Sequence, residues 1–396
     1  MARSGATGAP SASLLLAEHP LPTTSRRSQG ELECWSRGYT PLVMNSSRTL
    51  LGAALRSGSA SLSLAACLLG GSISSTDAHA GGASDFVWGV KSIAPGSSQP
   101  SAPPARLFFF DTQGTTFIDA GPITIGGVLV DIDGLAVLPS GALMAFEIAA
   151  AGSRLVSIAP GPPSLATPLG AFLTGRSIRG AVALSEAELL ALDAIANELL
   201  RIETGTGTIV GAPIPLSLGC GSFDLSTACD LAMRSDGRLF VVDGNTIFAL
   251  SPSTGRLFPL FSDTVPIPGS ATISLAGCAF GEGPSAAQLF AYEINGPDDI
   301  VAYDTAAAYA RSILFTNIIP QFNAGRGDLA TWVAATPVEP DPVLIADLDG
   351  NGVVNGADLG VLLGAWGPCS GCAADLNCDG VVDGADLGTL LSAWGP

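Results

Sequence analysis

The chain has 396 residues, of which 47% are hydrophobic and only 13% are charged, and it is rich in glycine and proline. Low charge and abundant turn residues favour many short strands over long amphipathic helices. The formal net charge of −18 argues against a nucleic-acid partner, because phosphate binding needs clustered Lys and Arg.

The first 80 residues are typical of processing sequence. We interpret residues 1–43 as a mis-called or disordered extension. Residues 44–80 fit a signal peptide, because a basic start precedes an apolar run at 60–71 and an Ala-x-Ala cleavage site at 78–80. A lipoprotein signal ending at Cys67 is an alternative. No later stretch reaches the roughly 18 apolar residues of a membrane helix, so we expect a secreted or cell-surface protein with no transmembrane span in the mature chain.

Cleavage after Ala80 would remove both histidines, which stand at positions 19 and 79. A chain without histidine has no Ser-His-Asp triad, no Cys-His dyad and no His-ligated metal. We therefore assign no catalytic residue. Six cysteines would remain, and an even number fits disulfides in an exported chain.

One pattern recurs five times within residues 81–333: an apolar strand in which Leu stands four residues before an acid. The intervals between the acids are 36 to 50 residues, and such periods with short strands are typical of propeller blades. A residue repeated symmetrically is usually structural, so we interpret these acids as strand ends that accept turn hydrogen bonds. A ring of carboxylates that binds a cation or acts as acid and base is the alternative. The acids are Asp111, Glu147, Asp193, Asp243 and Glu293.

The segment 230–261 contains the clearest copy of the repeat, because turn residues divide it into four short strands. We expect the strand at 327–333 to complete the unit that 86–90 begins, which joins the chain ends and leaves no long free edge. These features predict a mainly β fold, a propeller of five or six blades with five favoured, over residues 81–333.

The body also contains three cysteines. Cys220 and Cys229 flank a short loop, and we expect a disulfide to close it, worth about 2–3 kcal/mol through restriction of the unfolded chain. Cys278 stands in a strand pattern and is interpreted as a buried thiol, with pairing to Cys220 or Cys229 as the alternative.

Residues 334–344 are Pro-rich and acidic, which is typical of a stiff, extended linker. Pro340 and Pro342 argue against a helix before the segment that follows. Two further cysteines, Cys369 and Cys372, precede Cys378, and we expect one of the first two to bond with Cys378.

Residues 345–396 contain one segment twice, 28 residues apart. A calcium loop supplies oxygens at positions 1, 3, 5, 7, 9 and 12. Both copies carry suitable groups at all six positions: Asp347, Asp349, Asn351, the Val353 carbonyl, Asn355 and Asp358 in the first, and Asp375, Asn377, Asp379, the Val381 carbonyl, Asp383 and Asp386 in the second. Gly352 and Gly380 stand at position 6, where the turn needs a positive φ.

We therefore predict two Ca²⁺ ions. The second loop has four carboxylates and the first has three, so charge count predicts tighter binding by the second. The carboxylates repel one another without metal, and we expect the metal-free module to be largely unfolded.

A short helix is predicted after each loop, because apolar residues recur at i, i+3, i+4 and i+7. We expect the two apolar faces to pack together as a small core, and the valines at position 8 of each loop, Val354 and Val382, to pair with each other. The apolar positions are Leu359, Leu362, Leu363 and Trp366 in the first copy and Leu387, Leu390, Leu391 and Trp394 in the second.

These repeats resemble a type I dockerin, in the Cys-containing anchor variant of exported planctomycete-type proteins. The resemblance covers residues 345–396 and implies a small all-α module with paired, EF-hand-like calcium loops that docks on a cohesin-like or other cell-envelope protein. Two ordinary cohesin contacts are absent: Gly-Ala replaces the usual hydroxyl residues at 356–357 and 384–385, and the module has no Lys or Arg.

The sequence favours an exported calcium-binding protein with a non-catalytic body, whose ligand could be a glycan. The alternative is a carbohydrate-active, polysaccharide-degrading enzyme that uses propeller carboxylates, which needs two acids within about 10 Å in one cleft. A purely structural stalk is a third interpretation.

Overall fold

The computed structural model describes residues 86–92, 105–264, 273–294, 298–319, 326–369 and 371–395. The predicted extension and signal peptide lie outside these ranges. The described part is mainly β, as the sequence predicts.

Short strands occupy most of the described chain before residue 331. They are β1 Phe86–Ser92, β2 Ala105–Asp111, β3 Phe117–Ile125, β4 Val128–Leu129, β5 Ile132–Val137, β6 Leu143–Ala149, β7 Gly152–Ala159, β8 Ser164–Pro168, β9 Leu173–Thr174, β10 Ile178–Ala183, β11 Glu188–Asp193, β12 Glu198–Glu203, β13 Ile209–Pro215, β14 Ser217–Leu218, β15 Gly221–Ser222, β16 Cys229–Met233, β17 Leu239–Asp243, β18 Thr246–Leu250, β19 Arg256–Ser262, β20 Ser274–Phe280, β21 Gln288–Ile294, β22 Ile300–Asp304, β23 Ala310–Phe315 and β24 Arg326–Ala330. A 3₁₀ turn covers Gly283–Ser285.

The strands form antiparallel meanders of four: β24-β1-β2-β3, β5-β6-β7-β8, β10-β11-β12-β13, β16-β17-β18-β19 and β20-β21-β22-β23. The first strand of each meander packs against the first strands of its two neighbours, so β5, β10, β16, β20 and β24 form a ring around a central channel. β3 and β8 also pair in parallel, which joins the first two meanders at their outer edges. A ring of radial antiparallel sheets is a propeller-like arrangement.

Closure of this ring uses both ends of the body. β24 pairs with β1 in antiparallel register, with Trp88 opposite Ala330 and Ser92 opposite Arg326. The expected partnership of these two segments is confirmed. Because β24 is supplied from the far end of the body, β2 is the third strand of its meander. Asp111 therefore ends a third strand, whereas the other four recurring acids lie at or near the ends of second strands.

The apolar core lies between neighbouring meanders. Phe108 and Phe110 of the first meander, for example, share a cluster with Phe290 and Tyr292 of the last, and all four are at most 1% exposed. Similar clusters lie between the other neighbouring pairs. Burial of these faces is what stabilises the ring, because each meander has two apolar faces and needs two neighbours.

The C-terminal part contains three helices, α1 Pro342–Ala346, α2 Gly356–Gly364 and α3 Gly384–Ser392, and two short strands, β25 Gly367–Pro368 and β26 Val381–Val382. Helix α1 corrects the expectation that no helix precedes the first loop. The Asp341 side chain caps its N-terminus, and Pro342 stands in its first turn, where the missing N–H costs nothing. None of the described helices is both long and apolar enough to cross a membrane.

The two valines of the loops do not pair with each other. Val354 pairs with Gly395, and Val382 pairs with Gly367 across the β25–β26 ladder. Each loop valine therefore pairs with the glycine that follows the exit helix of the other repeat. The predicted Val354–Val382 bridge is wrong for this reason.

Candidate metal centre

The first of the two predicted calcium loops is closed by carboxylates that accept backbone N–H groups. Asp347 accepts from the N–H of Asn351 at 3.0 Å and of Gly352 at 2.7 Å. Asp358, at the far end of the loop, accepts from the N–H of Asn355 at 2.8 Å. Gly352 has φ +83°, as predicted for position 6. The backbone thus curls around two carboxylates, in the manner that a hard cation requires of its ligand loop.

The second loop repeats this geometry. Asp375 accepts from the N–H of Asp379 at 3.2 Å and of Gly380 at 2.9 Å, and Asp386 accepts from the N–H of Asp383 at 2.8 Å. Gly380 has φ +90°. The two loops therefore share one backbone conformation.

Some predicted ligands also begin the exit helices. Asn355 and Asp383 are the N-caps of α2 and α3, and Asp358 and Asp386 complete a capping box with them. Sequence reasoning missed this second role, although Asn or Asp followed three residues later by Asp was a visible signal for it. Loop closure and helix initiation therefore depend on the same side chains.

Three carboxylates of the first loop converge. One oxygen each of Asp347, Asp349 and Asp358 lies within 4.8 Å of the others, and within the described ranges no second group of three acids or cysteines does so. The second loop has Asn377 where the first has Asp349, which removes one carboxylate from the equivalent cluster. Tighter binding by the second loop remains a prediction.

The position 12 carboxylates are held in the charged form. Burial opposes ionisation of Asp358 and of Asp386, but three loop N–H groups donate to each and lower its pKa below the ordinary value. An ionised carboxylate at this position is what Ca²⁺ needs.

The apolar positions of the exit helices divide into two sets. Leu362 and Leu390 are fully buried in the core of the module. Leu359 and Leu387 are partly buried and pack against that core. Four further side chains of the predicted faces are about half-exposed: Leu363, Trp366, Leu391 and Trp394 are 51%, 51%, 51% and 47% exposed. The expectation that all of these residues form the core is therefore wrong. Each helix buries a narrower stripe than predicted, and Trp366 and Trp394 lie beyond the last helical residues, Gly364 and Ser392.

The cysteines pair differently from the expectation. Cys220 is bonded to Cys378 and Cys369 to Cys372, so neither the predicted Cys220–Cys229 bond nor a connector bond to Cys378 forms. Cys229 is a free thiol, 1% exposed on the innermost strand β16 within the core, and so cannot reach the surface loop. Its pKa and that of Cys278, also a free thiol, are raised well above the ordinary value by burial.

The predicted linker lies against the body and is not a free spacer. Val338 pairs with Arg238 and donates its N–H to the Gly237 carbonyl at 3.0 Å. The Ser251 hydroxyl donates to Glu339 at 2.6 Å. No sequence pattern in this Pro-rich segment predicts these contacts.

The recurring acids of the body have local partners. Three of them accept backbone N–H groups, which agrees with the structural interpretation, and three pair with arginines, since Asp193 also pairs with Arg176. The contacts are Asp111 with Thr115, Asp193 with Ser177, Asp243 with Ser226, Glu147 with Arg154 and Glu293 with Arg311.

The inner ring carries buried carboxylates that sequence reasoning missed. Asp230 on β16 and Asp328 on β24 have no exposed surface. Asp230 accepts from the N–H of Cys278 at 2.5 Å, and Asp328 accepts from the N–H of Leu135 at 2.6 Å. Each carboxylate thus satisfies an N–H group on another inner strand, which strand pairing within a meander leaves without a partner. The repeated Asp-Leu-Ala at 230–232 and 328–330 was the signal.

The pKa values of both carboxyls in this pair are raised above their ordinary range. Burial raises the pKa of Asp328 well above its ordinary range, and the neighbouring Asp230 carboxylate raises it further. Burial also raises the pKa of Asp230, although N–H donors and Asp328 oppose this. The pair is enclosed in the channel and lies in no open cleft.

No protein-family model matches the sequence, and no curated protein matches it. Similar solved structures include a Bacteroides thetaiotaomicron protein of unknown function, with 15% identity over 58% of this chain and a TM-score of 0.39. This chain spans 60% of the length of that protein. A Lactobacillus plantarum protein matches 59% of this chain and 82% of its own chain, with 10% identity and a TM-score of 0.37. Virginiamycin B lyase from Staphylococcus aureus matches 59% of this chain and 72% of its own chain, with 15% identity and a TM-score of 0.32.

Proposed function

We propose that the chain is an exported calcium-binding protein whose five-bladed propeller body is attached to a cell-surface or extracellular partner by a dockerin-like module. The observation that carries this proposal is the repeated loop geometry: two loops, 28 residues apart, with the same carboxylate-to-backbone contacts. Oxygen-only loops of this kind suit Ca²⁺, one ion in each.

The five-blade count is supported by the meanders themselves. Five sets of four strands surround one channel, and β24 closes the fifth interface. A sixth blade would need further strands from segments outside the described ranges. The C-terminal module is helical apart from the short β25–β26 ladder.

The attachment surface in this proposal is a set of exposed apolar side chains at the C-terminal ends of the exit helices and just beyond them. We call it the helix patch: Leu363, Trp366, Leu391 and Trp394. Half-exposed tryptophans in duplicate are typical of sites that bury apolar area against another protein. A cohesin-like or other cell-envelope protein with an apolar surface would fit it. The module supplies only acidic charges around this patch, so a basic rim on the partner would add complementarity.

The body is proposed to be a non-catalytic binding or structural part, with a glycan as the expected ligand class. The alternative of polysaccharide degradation needs paired carboxylates open to substrate. The Asp230–Asp328 pair is a carboxylate pair with raised pKa values, but it is enclosed and accepts backbone N–H groups. No described feature therefore favours the alternative.

Calcium-dependent release from the native cell envelope tests attachment. Washing with EGTA is expected to release the wild-type chain, whereas a magnesium wash is not. A double variant, Asp347→Ala with Asp375→Ala, is expected in the medium under both conditions. If the wild-type chain stays on the envelope in EGTA, or the double variant stays on it under either wash, the module does not attach the protein through Ca²⁺.

A further inference from the structure

Position 4 differs between the two calcium loops in a way that ligand chemistry does not explain. In the first loop it is Gly350, with φ +74°. In the second loop it is Cys378, which adopts the same left-handed conformation, with φ +61°. This conformation is unfavourable for a residue with a side chain and costs glycine nothing. A cysteine at this position therefore needs another role to offset the strain.

Cys378 is bonded to Cys220 of the body, in the turn between β14 and β15. Beside this bond, Arg256 on β19 donates from Nη1 to the carbonyl of Leu376 at 2.8 Å. Asp375 and Leu376 are 1% and 5% exposed. The equivalent residues of the first loop are half-buried, so the body covers the second loop more closely than the first.

We propose that the Cys220–Cys378 bond tethers the second calcium loop to the body and strengthens Ca²⁺ binding there while it is intact, so that this site responds to redox conditions and the first does not. The proposal rests on the calcium binding proposed above. Without metal, the carboxylates of a loop repel one another and favour its unfolding. The tether removes many of the unfolded conformations, so less ordering is required when Ca²⁺ binds.

The chemical change is a thiol–disulfide exchange. A dithiol reductant such as dithiothreitol supplies two electrons and two protons, so the S–S bond becomes the thiols of Cys220 and Cys378 and the reductant becomes a disulfide. In an oxidising compartment the bond persists and the second site stays tight. In a reducing one this covalent tether is lost, and the Arg256 contact and the linker remain.

Calorimetric Ca²⁺ titration of the full oxidised chain tests this proposal. All variants are made in an Asp347→Ala background, which weakens the first loop and isolates the second. Cys220→Ser and Cys378→Gly are expected to raise the dissociation constant of the second site about tenfold or more, and dithiothreitol is expected to have the same effect on the parent. Cys378→Gly also relieves the strained φ, so a loss of affinity there cannot come from added strain.

The control is Cys369→Ser with Cys372→Ser, which removes the other bond and is expected to bind like the parent until dithiothreitol is added. Equal affinities for the parent, Cys220→Ser and Cys378→Gly would overturn the tether proposal while leaving calcium binding intact. Absence of any Ca²⁺ heat from the wild-type chain would instead overturn the proposed function and the tether with it.

Discussion

At the scale of single residues, the structure depends on where polar groups enter the central channel. Asp230 and Asp328 have no exposed surface and still find N–H partners on neighbouring inner strands. Glycines make room for them: a Cβ added at Gly180 would lie 2.5 Å from the nearer oxygen of Asp230 and 2.5 Å from the Leu231 nitrogen. Replacing either carboxylate, or filling the space beside it, should therefore lower the free energy of unfolding or change its pH dependence.

Gly180→Ala is expected to lower the free energy of unfolding by about 2–3 kcal/mol, because overpacking at a rigid backbone forces the inner strands apart. The control is Gly205→Ala, since nothing lies within 4 Å of a Cβ added there. Urea unfolding of the two variants measures the difference. Equal free energies of unfolding for the two variants would mean that the inner strands accommodate the added methyl group at residue 180 without cost.

Asp328→Asn is expected to weaken the pH dependence of stability. The folded-state pKa values of Asp328 and Asp230 lie above the unfolded value of about 3.9. The native state therefore binds more protons, and the stability of the wild-type chain falls as the pH rises from about 4 through the folded-state values. Asn cannot ionise, so the variant should lose less stability over this interval.

Urea unfolding of this variant at several pH values, beside wild type and the exposed-site control Asp224→Asn, measures the effect. The control is expected to follow the wild-type curve. A variant curve parallel to that of the wild type would mean that Asp328 is ionised in the folded state at neutral pH.

At the scale of elements, the fold depends on one strand that arrives late in the chain. β24 supplies the innermost strand of the first meander and is buried along its whole length. It contacts β5 on one side and β20 on the other. Without it the ring has a gap and β1 becomes an exposed edge.

A chain ending at residue 325 is expected to lose cooperative thermal unfolding, because it lacks β24. A chain ending at residue 335 keeps β24 and lacks the module, and we expect it to unfold cooperatively. Near-UV circular dichroism against temperature compares the two. Cooperative melting of the shorter chain would show that the other four inner strands close the ring by themselves.

At the scale of the whole molecule, the sequence predicted the repeating parts better than the contacts between them. The meander at 230–261 and the loops from Asp347 and Asp375 were readable because turn residues and ligands recur at fixed spacing. The Cys220–Cys378 bond joins residues 158 positions apart, and no local pattern connects them. The docking of the linker was hidden for the same reason, since Val338 carries no signal that it will pair with Arg238.

The exposed tryptophans were misjudged for a geometric reason. Helical periodicity places Leu362 and Trp366 on one face, but the periodicity does not tell that α2 ends at Gly364, two residues before Trp366. Leu362 lies within α2 and is buried, whereas Trp366 is half-exposed. The resulting helix patch links packing within the module to the proposed attachment.

Calcium stoichiometry tests the central claim most directly. Calorimetric titration of the oxidised, chelator-treated full chain is expected to give two Ca²⁺ ions per chain. Asp358→Ala and Asp386→Ala are each expected to leave one, because each removes the carboxylate that closes one loop and caps its helix. Fewer than two ions in the wild-type chain, or two ions in both variants, would contradict the account.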